Sequence, residues 1–505
     1  MVDCGTAKNR GSLQSSSSFD DFFIILIGIV WAVSAIVAVV SALPEPCIET
    51  GDYAANAFAV LDAKEGVRLL GPYSRLRFYH PGPIIFYWRA LFEILGEGLF
   101  SELVLHVISQ VFLNIACFTG ALFVLRKELH LSGVRLYLSV LPVVALSILI
   151  PDSGSDTWGP TAVLYPFVCC VVCCVAVSVG RFPCLPWAVL SGVIVLHTHL
   201  ATAPFVVSFM AGSLLFGVRS VMWQRDRTVI VVSFLIALVG MLPIAIEATM
   251  SPTLGNVGSI VRTLHSKEGG HSLTSVARFL APLYSFGFPT RTSQEGILFG
   301  IFWIAVVLGV LRFGNAFEKN LIVLGIIGVM GSFWSLLSHS GRLYSYLAWY
   351  HYTFGFFVIS VALSLSARRI QFEIPMKLRI PCVLILILAV MQGMSHVPRT
   401  IDQCSPTLLS KIRSLSIPIN GHYKILSSRA EFDEEWMDIA GIALGLRRLG
   451  YSICISRRLG KILGLDWVCM KSPDGIGETT GTIRVGHGGE MQFISRKETY
   501  LSHKE

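Results

Sequence analysis

Long runs of apolar residues without a charge constrain this chain more than any other feature of its sequence. Two of them read FFIILIGIVWAVSAIVAVVSAL and TVIVVSFLIALVGMLPIAI. A helix of about 18 or more apolar residues is long enough to cross a hydrocarbon layer roughly 30 Å thick. Charged residues make up only 14% of the 505 residues, whereas soluble domains carry roughly 25%. The sequence therefore predicts an α-helical polytopic membrane protein and excludes a soluble globular one.

The apolar runs predict about eleven transmembrane helices. Their expected first residues are Phe22, Glu102, Leu136, Thr161, Cys184, Ala203, Thr228, Ile297, Asn320, Tyr346 and Leu378. As a single helix, the stretch 184–218 would be roughly 50 Å long, which is too long for one crossing. We therefore predict two short spans in this stretch, with a break near the sequence HTHLATAP.

The distribution of basic residues predicts the orientation of the helices. Alternate loops hold the positive charge, for example Arg126, Lys127 and Arg135 after the second span, whereas the loop PDSGSDTWGP holds none. Positive loops face the cytoplasm, so the amino terminus is expected inside, and the loops 44–100 and 251–296 and the tail outside. Membrane insertion thus accounts for the net charge of +8, and no nucleic-acid partner is expected.

The tail after the last span differs in pattern from the rest of the chain. Its segment WMDIAGIALGLRRLG has helical periodicity and ends at Gly450, and YSICIS and LDWVCMK have the character of strands. We predict a transmembrane domain over 1–396 and a small C-terminal extracytoplasmic α/β domain over 397–505. Cys454 and Cys469 would lie in the two strands, where a disulfide is expected unless parallel strands keep them apart.

The first outer loop, 44–100, carries two amphipathic segments that are too short and too polar to span a membrane. The first follows Asp52 and ends at Gly66. The second, IIFYWRALFEILG, places Arg89 and Glu93 four residues apart on one helix face. Because helices of this kind lie at the membrane surface, we predict interfacial helices in this loop.

A first span, an outer loop with an early acidic residue, interfacial helices and an HP motif together resemble the GT-C glycosyltransferases. This superfamily includes the protein O-mannosyltransferases and the transferases that place aminoarabinose on lipid A. The segments GDYAANAF and LLGPYSRLRFYHPGPIIFYWRALFEILG are similar to uncharacterised bacterial members, and WMDIAGIALGLRRLGYSICI is similar to their carboxy-terminal domain. The middle of the chain is similar by topology alone.

The resemblance implies a GT-C fold and a membrane glycosyltransferase of the bacterial inner (plasma) membrane. Such an enzyme moves a sugar, with inversion, from a polyprenyl-phosphate carrier to a glycan, lipid or protein of the cell envelope. Its partners would be this sugar donor, membrane lipids and the envelope acceptor, and Asp52 would be its catalytic base. Many members have paired acidic residues where this chain has Gly51, Asp52 and Tyr53. The resemblance therefore implies no certain cofactor and leaves a divalent metal open.

The residues of the first outer loop suit parts of such a site. A carboxylate at the lipid–water boundary can take the proton of an attacking hydroxyl, although Asp52 could equally act as a helix N-cap. His80 and Pro81 are typical of a helix start, whose free N–H groups attract phosphate. Arg75 and Arg77 could hold the same phosphate or contact lipid headgroups without specificity.

Further candidates lie at the predicted outer ends of the spans. Arg342 is the lone base in a short outer loop, against the charge rule, which favours an anion such as the donor phosphate nearby. The acceptor or cavity candidates are Asp152, Asp156, His197, His199 and Tyr350. Each of them has a structural alternative: turn formation for the acids, hydrogen bonding of the helix break for the histidines, and membrane anchoring for the tyrosine.

Two other functions fit parts of the pattern. A lipid or glycan transporter or flippase usually keeps ionisable residues in the middle of its spans, whereas the predicted spans here carry almost none. A catalytically inactive GT-C-like assembly partner would keep the fold and lose only the chemistry. Replacing Asp52 is the experiment that separates this partner from an enzyme.

Overall fold

The computed structural model describes most of the chain, and helices dominate it. The described residues are 6–42, 46–76, 78–128, 131, 133–150, 152–218, 227–265, 270–285, 293–339, 341–370, 376–394, 404–418, 420–427, 436–463, 468–469, 479–486 and 489–495. The predicted domain boundary at residue 397 lies outside these residues.

The helices follow one another with short connections. In chain order they are α1 Thr6–Ala42, α2 Gly51–Lys64, α3 Ile84–Gly96, α4 Glu102–Lys127, α5 Val134–Leu138, α6 Leu141–Leu149, α7 Gly159–Ala162, α8 Leu164–Ser178, α9 Leu185–Thr198, α10 Ala203–Val218, α11 Arg227–Met250, α12 Gly255–His265, α13 Leu273–Tyr284, α14 Ser293–Phe313, α15 Ala316–Leu337, α16 Tyr350–Arg369, α17 Met376–Met394, α18 Pro406–Arg413, α19 Trp436–Arg448 and α20 Arg457–Leu463. The strands are β1 Ile48–Glu49, β2 Cys404–Ser405, β3 His422–Ser427, β4 Ser452–Ile455, β5 Gly481–Val485 and β6 Met491–Ser495.

The chain divides into two compact units. The membrane unit consists of Met1–Ala38 and Gln110–His396, and the loop–tail unit consists of Val39–Ser109 and Val397–Glu505. The first outer loop and the tail thus form one unit, although all of the apolar helices except the first lie between them in the sequence.

The membrane unit contains the apolar helices. Among the described residues, seven helices are long and apolar enough to cross a membrane: Phe19–Val40, Glu102–Lys127, Gly159–Ser178, Leu200–Gly217, Arg227–Met250, Ala316–Leu337 and Tyr350–Arg369. Each lies at a predicted span. The shorter apolar helices Phe182–Thr198, Ile297–Phe313 and Leu378–Gln392, together with the pair α5–α6, occupy the positions of the other four predicted spans.

Helix α8 lies in the interior of the membrane unit, and all of its residues are buried. Helices α9 and α10 both pack against it. Between them, His199 is extended, with φ −151° and ψ 96°, and a 3-10 turn follows over Leu200–Thr202. The predicted break near HTHLATAP is therefore confirmed.

The loop–tail unit is built on a four-stranded sheet in the order β4-β3-β5-β6. Strand β3 pairs in parallel with β4 and β5, and β5 pairs antiparallel with β6. Helix α19 packs against α2 and against the sheet, and its side chains Ile439 and Ile442 share one hydrophobic core with Ala57 and Phe58 of α2. The first outer loop thereby shares its core with the tail.

Two disulfides hold the loop–tail unit. Cys47 bonds Cys404 next to the antiparallel pair β1–β2, with a Cα separation of 5.6 Å. Cys454 bonds Cys469 with a Cα separation of 4.9 Å, as predicted. In the predicted second strand, the described residue Val468 forms a single parallel bridge with the residue after Cys454. Parallel pairing therefore does not keep the two cysteines apart.

Candidate functional site

Asp52 lies in the first turn of α2 and is partly exposed. The N-cap of this helix is Thr50, so the interpretation of Asp52 as the N-cap is wrong. Gly51 has a φ of +56°, and a Cβ at this position would lie 2.9 Å from Cε of Met437. Since only glycine adopts this conformation without strain, Gly51 fixes the direction in which the chain enters the helix before Asp52.

Arg68 organises the segment that follows α2. Its guanidinium lies 3.3 Å from the carboxylate of Asp62 and donates hydrogen bonds to the carbonyls of Leu70, at 2.8 Å, and Gly71, at 3.1 Å. It also lies 5.4 Å from the ring centre of Tyr79. Sequence reasoning missed Arg68. Its only signal was a lone base six residues after an acid.

His80 lies in a hairpin-like loop and not at a helix start. Its backbone N–H donates to Pro72 O at 2.8 Å, and its carbonyl accepts from Gly71 N–H at 2.9 Å. Helix α3 begins at Ile84 with Pro83 as its N-cap, so the predicted start at Pro81 is wrong. Proline disfavours the helical conformation of the residue before it, and Pro83 therefore delays the helix.

The three residues proposed to hold a phosphate in this loop differ in charge and exposure. Burial lowers the pKa of His80 to about 4, so the imidazole is neutral at pH 7. Arg75 is exposed, and Arg77 lies outside the described residues. Because no helix begins at His80, this residue offers no helical N–H groups to a phosphate.

Arg89 and Glu93 of α3, four residues apart on one helix face, are both buried, each 2% exposed. Glu93 lies 2.6 Å from Nε2 of His106 and 3.0 Å from Nζ of Lys64. Burial raises the pKa of Glu93, but the contacts with His106 and Lys64 outweigh it and bring the pKa to about 2. Glu93 is therefore ionised under physiological conditions.

A second buried carboxylate, Glu49, connects this cluster with the tail. Arg448 of α19 binds it in a bidentate manner, at 2.5 and 3.0 Å, and Nδ1 of His106 lies 3.9 Å away. Burial raises the pKa of Glu49, but Arg448 outweighs this effect and the pKa is lowered. We call this connected set of charged and polar side chains the ionic chain; it consists of Glu49, Arg448, His106, Glu93 and Lys64.

Asp152 and Asp156 of the membrane unit form a turn. Asp152 has a φ of 76°, and Asp156 is fully buried. The carboxylate of Asp156 accepts hydrogen bonds from Oγ1 of Thr161 at 2.8 Å and from the backbone N–H of Trp158 at 3.4 Å. The turn-forming alternative accounts for these contacts.

His197 and His199 lie at the break between α9 and α10 and are 2% and 4% exposed. Tyr350 donates from its hydroxyl to Ala201 O at 3.2 Å and contacts Oγ of Ser332 at 3.0 Å. The structure thus brings three of the predicted cavity residues to one break. Arg342 is exposed, and its guanidinium lies over a tyrosine ring at 5.5 Å.

Possible metal ligands are not clustered in the part of the chain that the structure describes. Within it, no group of three or more His, Cys, Asp or Glu side chains is placed to hold a metal ion. The sequence Gly51-Asp52-Tyr53 likewise offers a single carboxylate.

Comparisons with known proteins identify the fold. Neither protein-family models nor curated proteins match the chain. Two solved structures of ArnT from Cupriavidus metallidurans do, each at 12% identity over 97% of this chain and 95% of that one. The TM-score is 0.55 for the apo state and 0.53 for ArnT bound to undecaprenyl phosphate. The predicted fold is confirmed: the chain has the fold of ArnT over nearly its whole length.

Proposed function

We propose that the chain is a membrane glycosyltransferase that moves a sugar from a polyprenyl-phosphate carrier to an extracytoplasmic acceptor. The observation that carries this proposal is the likeness to ArnT over 97% of the chain, one of whose structures holds undecaprenyl phosphate. A fold alone does not determine a function. The proposal therefore also depends on the residues that could do the chemistry.

Asp52 is the proposed catalytic base. It is partly exposed, stands in the first turn of a helix and is not needed as the N-cap. In the proposed inverting step, an acceptor oxygen forms a bond to the anomeric carbon while the bond from that carbon to the carrier phosphate breaks. Asp52 takes the hydroxyl proton, and the polyprenyl phosphate leaves with the electron pair of the broken bond.

Two separate sets of groups are proposed for a donor phosphate: Arg75 and Arg77 in the loop–tail unit, and Arg342 in the membrane unit. Arg75 and Arg342 are exposed, so they can meet an anion, and guanidinium groups bind phosphate with two parallel hydrogen bonds. His80 is neutral at pH 7 because of its lowered pKa. Its role in this proposal is therefore a hydrogen bond and not a charge.

The proposed location is a bacterial inner membrane, with the amino terminus in the cytoplasm and the loop–tail unit outside. The two disulfides of that unit support this orientation, since disulfides persist in the periplasm and are reduced in the cytoplasm.

The test is a transfer assay with the purified full chain in lipid nanodiscs. The donors are undecaprenyl phosphates carrying radiolabelled glucose, mannose or aminoarabinose, and the acceptor is a cell-envelope extract. We expect label to move from one donor to the extract, with release of undecaprenyl phosphate and an inverted anomeric centre. Binding of the carrier without transfer to any acceptor would favour the flippase or the inactive partner, and absence of both would contradict the proposal.

A further inference from the structure

Aromatic rings gather at the break between α9 and α10. The indole of Trp158 lies 5.0 Å from the ring of Tyr346 and 6.0 Å from that of Trp349, in edge-to-face geometry. The imidazole of His199 lies 6.4 Å from the ring of Tyr346. All three aromatic side chains are only partly buried. We call Trp158, Tyr346, Trp349, His197 and His199 the break site.

His197 is the polar group of this site that needs a partner. It is 2% exposed, and among the described residues neither of its ring nitrogens has a hydrogen-bond partner. Buried polar atoms are nearly always hydrogen-bonded, so an orphaned pair calls for an ordered water or a ligand. An imidazole ring offers one donor and one acceptor to such a partner.

The backbone around the break site is closely packed. A Cβ on Gly159, the residue after Trp158, would lie 3.0 Å from Thr198 O, so the start of α7 abuts the end of α9. On the other side, the hydroxyl of Tyr350 holds Ala201 O at 3.2 Å. These contacts bring the start of α7 beside the end of α9, and Tyr350 beside the residues that follow the break.

We propose that the break site binds a sugar ring; this inference rests on the proposed function and names where the sugar lies. A sugar ring has an apolar face of C–H groups and a rim of hydroxyls. Partly exposed aromatic rings suit the apolar face, and the nitrogens of His197 suit a hydroxyl. A hydrocarbon tail would leave those nitrogens without partners.

The positively charged side chain of Arg342 lies at the edge of this site. The ring of Tyr344 stacks on Tyr346, at 5.5 Å and with 16° between the planes, and the guanidinium of Arg342 lies 5.5 Å from the centre of the Tyr344 ring. A phosphate attached to the bound sugar would meet Arg342 there. The same chemistry also fits a sugar of the acceptor, so the experiment distinguishes the two sources.

The experiment measures equilibrium binding to the full chain in nanodiscs. The first arm compares undecaprenyl phosphate with its glucose, mannose and aminoarabinose derivatives, and the second uses soluble maltose, mannobiose and chitobiose. We expect one derivative to bind at least tenfold more tightly than the bare carrier, which assigns the sugar to the donor. Tight binding of a disaccharide instead assigns it to the acceptor. If neither arm shows a contribution from a sugar, the inference is overturned.

Variants show which residues are responsible for the contribution of the sugar to the affinity. His197→Leu should remove the gain in affinity and keep the fold. Tyr346→Ala should remove the gain as well, whereas Tyr346→Phe should keep it. Trp334→Ala, at an aromatic residue 74% exposed on α15, is the control and should keep it too. Because His197→Leu replaces an unpaired buried polar group with an apolar one, its folding should be unimpaired.

The outcomes separate this inference from the proposed function. If folded His197→Leu binds the sugar derivative as much more tightly than the bare carrier as the wild type does, the assignment of the sugar to the break site is overturned, while the proposed function stands because the carrier still binds. Failure of the wild type to bind any carrier, with sugars still bound at the break site, would overturn the proposed function and support the site.

Discussion

At the scale of single residues, Asp52 combines partial exposure with a place in the first turn of a helix that it does not cap. Asn has the same size, so Asp52→Asn should leave thermal stability nearly unchanged. Sugar transfer should fall by about 10²-fold or more, since a general base contributes this much. Glu97→Gln, an exposed acid just after α3, is the control. Transfer by Asp52→Asn at the wild-type rate would show that another group is the base.

Glu93 makes stability depend on pH. Its pKa is lowered from 4.5 to about 2, so its contribution is fully present above the unfolded value of 4.5. It is lost as the pH falls toward 2. Thermal unfolding of the wild type should therefore shift to lower temperature over this window. Glu49, whose pKa is also lowered, acts in the same direction.

The matched variant is Glu93→Gln. At pH 7 it should lose about 3–5 kcal/mol of unfolding free energy, the usual effect of breaking a buried ion pair. Its loss between pH 5 and pH 2 should be smaller than in the wild type. An unchanged pH profile in Glu93→Gln would show that other carboxylates cause the acid sensitivity.

At the scale of elements, the ends of helices were predictable where nearby residues alone determine them. Gly66 and Gly450 follow the ends of α2 and α19 with φ of 76° and 86°, which is the conformation that a terminating glycine adopts. The break near His199 was predictable because the stretch 184–218 is too long for one crossing as a single helix. The predicted amphipathic segment IIFYWRALFEILG is α3 as observed. Only the helix start expected at Pro81 is wrong, because a second proline, Pro83, disfavours the helical conformation of the residue before it.

Long-range contacts could not be predicted from the sequence. Arg448 and Glu49 stand 399 residues apart, and nothing near either residue indicates the other. Likewise, nothing near Glu93 in the sequence indicates its partner His106, which comes from the next helix. Asp52 and the histidines of the break were found because an early outer acid and polar residues at a break are local signals.

Gly51 gives a prediction at the scale of α2. Gly51→Ala must adopt a φ of +56° and meets Met437, so it should lose about 1–2 kcal/mol or more of unfolding free energy. Gly120→Ala lies in α4, where a Cβ meets nothing within 4 Å, and should be neutral or stabilising by about 0.5–1 kcal/mol. Thermal unfolding of the two variants side by side is the measurement. Equal effects would contradict the constraint on Gly51.

At the scale of the whole molecule, the Cys47–Cys404 disulfide closes a loop with a sequence separation of 357, against 15 for Cys454–Cys469. Loss of a native disulfide typically costs about 2–5 kcal/mol, and more for longer loops. The double variant Cys47→Ser, Cys404→Ser should therefore unfold at a lower temperature than Cys454→Ser, Cys469→Ser. The reverse order would show that native contacts, and not loop length, set the loss.

Orientation is testable at the two ends of α15. Ala316 is the first residue of this helix and Ser338 follows its last residue, and both are exposed. In a background without other free cysteines, Ser338→Cys should react with an impermeant thiol reagent on intact cells. Ala316→Cys should react only after permeabilisation, because basic loops stay in the cytoplasm. The opposite pattern would reverse the proposed topology.

The bond between Cys47 and Cys404 also constrains the number of times that the chain between them crosses the membrane. Both cysteines must stand on one side of the bilayer to form it, so the chain between them crosses an even number of times. Among the described residues, six of the long apolar helices and three shorter ones lie between the two cysteines. If all nine cross, the cysteines would lie on opposite sides unless the pair α5–α6 supplies a tenth crossing, and the stretch 134–149 reaches about 24 Å at the helical rise. With those nine helices spanning, one covalent bond thus predicts a further crossing at a pair of helices that are individually too short to span.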